Sequence, residues 1–137
     1  MGGFFLNYLL DTHTWIWWHM NPAKLSAAVL RLISNPKAYE ELLLSAISPW
    51  EFSKLLEKNR LGISCNPEDW LRQAMEMPKF RLVPISPILT YRSTTLPQPF
   101  HEDPADQLIV ATARKENATI LTKDPRILEY KHVKSLW

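Results

Sequence analysis

The sequence predicts an α/β fold built on a mainly parallel sheet. Two observations carry this prediction. Short apolar runs of strand length alternate with longer amphipathic segments, the order that places helices between parallel strands. No internal repeat or low-complexity tract divides the 137 residues, so residues 1–137 read as a single domain.

Each element follows from local signals. FFLNYLLD (4–11) reads as a buried first strand ending on Asp11. From Thr14 the segment WIWWHM begins a helix that Asn21-Pro22 interrupts. LSAAVLRLIS (25–34) has apolar residues at helical spacing, a cap at Ser26 and a stop at Asn35-Pro36. ELLLSAIS (41–48) is a second strand. PWEFSKLLEKNRLG is then a helix with Ser48 at the N-cap, Pro49 at the first helical position and Gly62 at its end. NPEDWLRQAME is a short helix, FRLVPIS (80–86) a strand, and PILTYRSTTL a helix. PADQLIVATARKENA is the clearest helix, with Pro104 at its first position. ATILTKD (118–124) is a short strand ending at Asp124, and HVKSLW adds an edge strand.

Composition bounds the function. Hydrophobic residues make up 46% and charged residues 22%, enough for a core and too ordered a composition for wholesale disorder. A net charge of +2 does not by itself argue for nucleic acid, so any phosphate-binding groove must come from local placement of Lys and Arg. The single cysteine, Cys65, makes neither an internal disulfide nor a Cys-based zinc site, and reads as an inert small residue in a reducing cytoplasm. No apolar run approaches the roughly 18–20 residues of a membrane span. MGGFFLNYLLD lacks a basic leader and a cleavage site, so a soluble cytoplasmic protein is expected.

Four acids are expected to converge. Ligands of open parallel sheets gather beyond the C-terminal strand ends. Asp11 and Asp124 end strands, while Glu51 and Asp106 stand in the first turns of following helices. Each acid also has an ordinary structural explanation. SPWE is a capping box in which Glu51 reaches back to the Ser48 amide. Asp103 is an N-cap, with Asp106 favoured and held ionised by the helix dipole. Asp124 caps PRILEY, and Asp11 makes an Asx turn. The joint pattern is harder to explain that way, because two unit charges about 4 Å apart repel by roughly 4 kcal/mol at intermediate dielectric. A hard divalent cation, Mg²⁺ or Mn²⁺, relieves such repulsion, and all-oxygen donors argue against zinc. Such a site activates water for displacement at a phosphodiester.

The stretches LLDTHTWIWW, SAISPWEFSKL with GISC, LPQPFHEDPADQLIVATA, ILTKDPRILEY and the closing VKSLW resemble, in order, a PIN-domain ribonuclease of the VapC-like toxin type. The resemblance spans nearly the whole chain. It implies a three-layer α/β/α sandwich, Mg²⁺- or Mn²⁺-dependent cleavage of RNA, a cognate antitoxin and a homodimer. It makes Asp11, Glu51, Asp106 and Asp124 the catalytic acids and metal ligands, with Asp103, Thr12 and Thr122 accessory. In the mechanism it implies, Asp11 and Asp106 bind one ion directly, and Glu51 and Asp124 act through water or a second ion. One departure is Gln107, where members of the family often carry arginine after the third acid; a phosphate contact is lost or relocated there. Lys54, Lys58, Arg60 and Lys123 are the candidate cations.

His101 reads as a loop hydrogen-bonding residue, because no second histidine lies at ligand spacing. Trp15, Trp17, Trp18 and Trp50 are mostly core; WIWW cannot place every ring on one helix face, so an exposed tryptophan would suit an antitoxin segment or a second copy. The rivals are a nuclease of another role (RNA processing or DNA cleavage), a non-catalytic PIN-like scaffold, and a phospho-receiver domain. A receiver needs an aspartate ending a central strand, and ELLLSAIS offers none.

Overall fold

The structure, a computed structural model, describes residues 6–137. Five strands form one sheet: β1 Asn7–Leu10, β2 Glu41–Ser45, β3 Phe80–Val83, β4 Thr119–Leu121 and β5 Lys134–Leu136. Their order across the sheet is β3-β2-β1-β4-β5 and every pairing is parallel. Seven α-helices occupy the connections: α1 Thr12–Met20, α2 Ala27–Ile33, α3 Ile47–Glu57, α4 Pro67–Ala74, α5 Pro87–Thr94, α6 Pro104–Glu116 and α7 Pro125–Leu128. Phe4 and Phe5, expected in the first strand, lie outside the described residues.

The strands are apolar on both faces, and their period of two sorts the core into two layers. Leu9, aligned with Leu43 and Ile120, points into one cluster with Leu89, Ile109, Val110 and Ile127 from α5, α6 and α7. The next residue, Leu10, aligned with Leu44 and Leu121, points into the other. There it meets Trp15, Ile16, Val29, Ile33, Phe52 and Trp70 from α1 to α4. Helices therefore cover both faces, giving the three-layer α/β/α sandwich. Phe52 and Trp70 stack with centroids 4.1 Å apart, and Trp15 meets both edge-on. Trp15 is fully buried and donates its indole N–H to the Ala74 carbonyl at 3.2 Å. Trp50, by contrast, is 56% exposed.

Most helix starts obey the cap chemistry of the sequence. Ser26 accepts from the Val29 amide, Ser86 from Leu89 and Asn66 from Glu68 and Asp69. The exception is α3. It begins at Ile47 and not after Ser48, because the Ser45 hydroxyl takes the Ile47 amide at 3.2 Å. Ser48 is thus inside the helix and fully buried, and the expected capping box does not form. The same helix stops at Glu57, five residues before Gly62. Asn59 there adopts φ 55°, the left-handed geometry that asparagine tolerates and that ends helices. Helix α1 likewise starts at Thr12, two residues earlier than Thr14, because the Asp11 carboxylate receives the Thr12 amide.

Candidate active site and metal centre

The chain reverses its direction of strand addition at β1: β2 and β3 lie to one side, β4 and β5 to the other. The crevice at such a switch point, beyond the C-terminal strand ends, is where open α/β sheets bind ligands. A pocket of about 470 Å³ lies at that place, and its lining includes Asp11, Glu51, Asp103, Asp106 and Asp124. All four expected catalytic acids, and Asp103, share it.

Asp11 directly follows β1, and its own amide continues the sheet by donating to the Leu121 carbonyl at 3.1 Å. It is 7% exposed and uses both oxygens: Oδ1 accepts from the Thr12 amide at 2.8 Å and Oδ2 from the Thr122 hydroxyl at 2.6 Å. Thr122 in turn accepts the Asp124 amide at 3.0 Å, so one hydroxyl ties the ends of β1 and β4 together. Burial raises the Asp11 carboxyl above its ordinary range, against the pull of the Thr122 and Thr12 hydrogen bonds.

Glu51 stands in the second turn of α3, not the first. Its Oε1 accepts the Thr12 hydroxyl at 2.5 Å. Thr12 has a single hydroxyl hydrogen, so Ser48, whose Oγ lies 2.8 Å from Thr12 Oγ1, is the donor to Thr12. This Ser48–Thr12–Glu51 relay replaces the capping box. Burial raises the Glu51 carboxyl, and the charges of Asp11 and Asp103 add to the rise against the Thr12 hydrogen bond.

Asp103 caps α6 by accepting the Asp106 amide at 3.0 Å. Asp106 is therefore in the first turn, with its side chain 14% exposed. Its carboxyl is not held ionised by the helix dipole. Burial, followed by the charges of Asp11, Asp103 and Asp124, pushes it up to about 7. Asp124 caps α7 through the Arg126 amide at 2.9 Å. Burial pushes Asp124 up too, but hydrogen bonds from Arg126 outweigh it and hold the carboxyl below its ordinary value.

Two further residues meet these acids. His101 is the hydrogen-bonding loop residue expected, and it stands beside the acids: Nδ1 accepts the Asp103 amide at 3.3 Å, and Nε2 lies 3.1 Å from Asp106 Oδ2. Nε2 is buried and not aligned with that oxygen, so among the described residues it has no hydrogen-bond partner. Gln107 pins this segment by donating to the His101 carbonyl at 3.2 Å. Arg126, overlooked in the sequence, bonds Asp124 and reaches Asp106. The signal was present in the DPR of the segment following the fourth acid. Of the expected cations, only Lys123 lines the pocket. Lys54 pairs with Glu57 at 2.6 Å, and Lys58 is the C-cap of α3, at the end of the helix opposite the strand edge.

The donor set suits a hard divalent cation. Ligand atoms of His101, Asp106 and Asp124 all lie within 4.8 Å of one another. Because His101 Nδ1 accepts the Asp103 amide, the neutral imidazole carries its proton on Nε2, and the metal donors of the group are the carboxylates. Carboxylate oxygens match Mg²⁺ or Mn²⁺ better than a thiolate-loving ion. Asp11 and Glu51 line the same pocket but are not part of this tight group. The central strand is β1, with Asp11 directly after it, and not β2, so the expected objection to a receiver domain, a central strand that ends without an aspartate, does not hold in this fold.

The chain is similar to several known proteins. Over 124 residues, 90% of this chain and 92% of the relative, the sequence is 36% identical to ribonuclease VapC22 of Mycobacterium tuberculosis. The fold is similar to that in VapBC2 from Rickettsia felis bound to a promoter DNA fragment, with TM-score 0.67 and 17% identity over 96% of this chain and 98% of that one. It is also similar to a toxin–antitoxin complex from Klebsiella pneumoniae, with TM-score 0.63 and 18% identity over 95% and 96% of the two chains. A family model for the PIN domain matches residues 8–133, a span that takes in β1 with Asp11 after it and every acid of the pocket, and on that match the chain belongs to the PIN domain family.

Proposed function

We propose that this chain is a divalent-metal-dependent endoribonuclease, a single domain over residues 1–137, that hydrolyses RNA phosphodiester bonds as the toxin of a toxin–antitoxin pair. One observation carries the reading: four carboxylates from separate segments share one pocket, where burial and then the neighbouring charges push the Asp106 carboxyl up to about 7. A bound cation offsets both the lost hydration and the repulsion. The relative named as a ribonuclease, at 36% identity, supports RNA as substrate, and the toxin–antitoxin complexes among the similar folds support an antitoxin partner.

Asp106, Asp124, Asp11 and Glu51 are the residues that would hold Mg²⁺ or Mn²⁺, with Asp103, Thr12 and Thr122 in support. The ion supplies charge neutralisation at the scissile phosphate and acidifies bound water. Glu51 is the base. Burial raises its carboxyl, and the Thr12 hydroxyl fixes Oε1 while Oε2 makes no hydrogen bond to the described residues. Lys123, which lines the same pocket, meets the incoming backbone.

Besides RNA, two partners belong to the reading: the antitoxin and a second copy of the chain. Exposed Trp50 stands over an apolar hollow of about 530 Å³ with Ile47, Ile85, Pro104 and Ala105, next to the acidic pocket, and such a surface suits either. No helix among the described residues is long and apolar enough to cross a membrane, and the lone Cys65 fits action in the cytoplasm. The test is cleavage of RNA by the purified protein. Cutting is expected with Mg²⁺ or Mn²⁺ and lost with EDTA or with Asp11→Asn; growth arrest on expression should be relieved by a neighbouring small open reading frame. Cleavage that persists in both Asp11→Asn and Asp106→Asn would overturn the assignment.

A further inference from the structure

Arg126 has a divided guanidinium. Nε bonds Asp124 Oδ1 at 3.2 Å and Nη2 bonds Asp124 Oδ2 at 3.0 Å, a two-point fork. The same Nη2 reaches Asp106 Oδ2 at 3.4 Å. These contacts account for Nε and Nη2 and leave Nη1, with its two N–H groups, without a partner among the described residues. The side chain is 58% exposed, and the residue lines the acidic pocket. Nε and Nη2 are therefore committed to protein carboxylates, and Nη1 is uncommitted on an exposed side chain that lines the pocket where a phosphodiester would meet the acids.

Simple neutralisation of the acids does not require this geometry. Lys123 already brings a positive charge to the pocket, and a point charge would serve as well. What a guanidinium adds is a planar second edge whose direction is set by the first. We propose that Arg126 is the phosphate-binding residue of this site, holding Asp124 and Asp106 with Nε and Nη2 while Nη1 takes a non-bridging oxygen of the phosphodiester being cut. This rests on the nuclease reading and deepens it by naming the group that grips the substrate. The Asp106 contact is the longest of the three, so a cation that takes Asp106 Oδ2 can displace it while the Asp124 fork stays.

The experiment compares Arg126→Ala and Arg126→Lys with the parent chain, all in an Asp11→Asn background, binding a single-stranded RNA oligonucleotide by fluorescence anisotropy over a range of salt. Arg126→Ala is expected to weaken binding about tenfold and to reduce the slope of log K against log salt by about 0.7, the loss of one phosphate contact. Arg126→Lys should recover the slope but not the affinity. With Asp11 restored, the alanine variant should cut more slowly mainly through a higher KM. Mn²⁺ binding by calorimetry should be as tight as in the parent or tighter, because a competing cation has gone. An unchanged salt slope, a complete rescue by lysine, or Mn²⁺ binding weakened more than tenfold would overturn the assignment, the last by showing that Arg126 serves only to place the metal ligands. If the chain with Asp11 intact cuts no RNA, the nuclease reading falls and takes this one with it. If it cuts and Arg126→Ala binds RNA alike, only the assignment of Arg126 falls.

Discussion

Replacing Asp106 by asparagine should make the protein more stable at pH 8 in EDTA while destroying its metal site. Asp106 is enclosed, with Asp11, Asp103 and Asp124 on its acidic side and only Arg126 and His101 opposite. Its carboxyl moves from an ordinary value of 3.8 to about 7 in the folded protein. Between those values the folded chain keeps a proton that the unfolded chain has released, so stability falls as pH rises through the window. At about 1.4 kcal/mol per unit the loss totals about 4 kcal/mol. Asparagine has nearly the same shape and no charge, so at pH 8 it should return most of this. The rise is already net of the Arg126 attraction, so the gain is about 3–4 kcal/mol, or roughly 10–15 °C in Tm for a domain of this size. At pH 4, below the window in which the native acid is shedding its proton, the two proteins should melt together. Saturating Mn²⁺ at about 100 times its Kd adds about 2.7 kcal/mol to the parent and nothing to the variant, so most of the gap closes. Melting curves at the two pH values, with EDTA and with Mn²⁺, make the measurement. A variant no more stable than its parent at pH 8 in EDTA, or one with the same advantage at pH 4, refutes the account of Asp106 as a strained carboxylate.

Thr12→Val removes the link between Ser48 and Glu51 and should cost about 1–3 kcal/mol through the stranded buried hydroxyl. Cleavage should fall about 100-fold as Glu51 loses its orientation, and Thr12→Ser should restore most of both in denaturation and RNA-cutting assays. Phe52→Ala opens the stacked contact with Trp70 in a fully buried position and should cost about 3–5 kcal/mol in urea denaturation. Asn117 closes α6 in the left-handed conformation, φ 51°, and its Oδ1 accepts from Lys134 at 3.0 Å. Asn117→Ala should therefore lose about 1–2 kcal/mol, and Asn117→Gly clearly less, by thermal melting.

The fold was legible because its signals are local and repeated. Apolar runs at Asn7–Leu10, Glu41–Ser45 and Thr119–Leu121 have strand length, and proline after Asn66, Ser86, Asp103 and Asp124 marks four helix starts. The errors came where a local rule had two valid applications. Ser45 and Ser48 both can begin α3; burial decided for Ser45, since Ser48 was needed inward against Thr12. Asn59 and Gly62 both can end it, and the earlier one acted. Within the site, the convergence of Asp11, Glu51, Asp106 and Asp124 was expected from strand ends and the family resemblance. The local contact of Arg126 with Asp124 was readable in DPR, but the reach of Arg126 and His101 to Asp106 was not, because it spans 20 and 5 residues whose direction no periodicity encodes. The Asp106 shift was misjudged for a related reason. The dipole of α6 is a local quantity, whereas the burial of Asp106 and the opposing charges of Asp11, Asp103 and Asp124 arrive through the tertiary fold.

Helices that start at the C-terminal edge of a parallel sheet need caps there, so an aspartate at that edge is weak evidence for chemistry. Asp11, Asp103 and Asp124 each accept a backbone amide at the start of α1, α6 and α7. Each would earn its place in a protein that bound nothing. Glu51 and Asp106 differ: neither carboxylate accepts a backbone amide among the described residues, both are half-closed from water, and both are raised. They are the two acids whose presence the fold does not explain. Neutral replacements should then divide by sign. Asparagine at 103 still caps its helix and should leave stability near the parent's, while asparagine at 124 keeps the cap but gives up the charged pair with Arg126 and should lose a little. Glu51→Gln and Asp106→Asn should stabilise the protein in EDTA at pH 8, since each removes a carboxylate held against its neighbours. A site built for a cation predicts that division; a set of helix caps that happen to be neighbours predicts a loss, or no change, at every position.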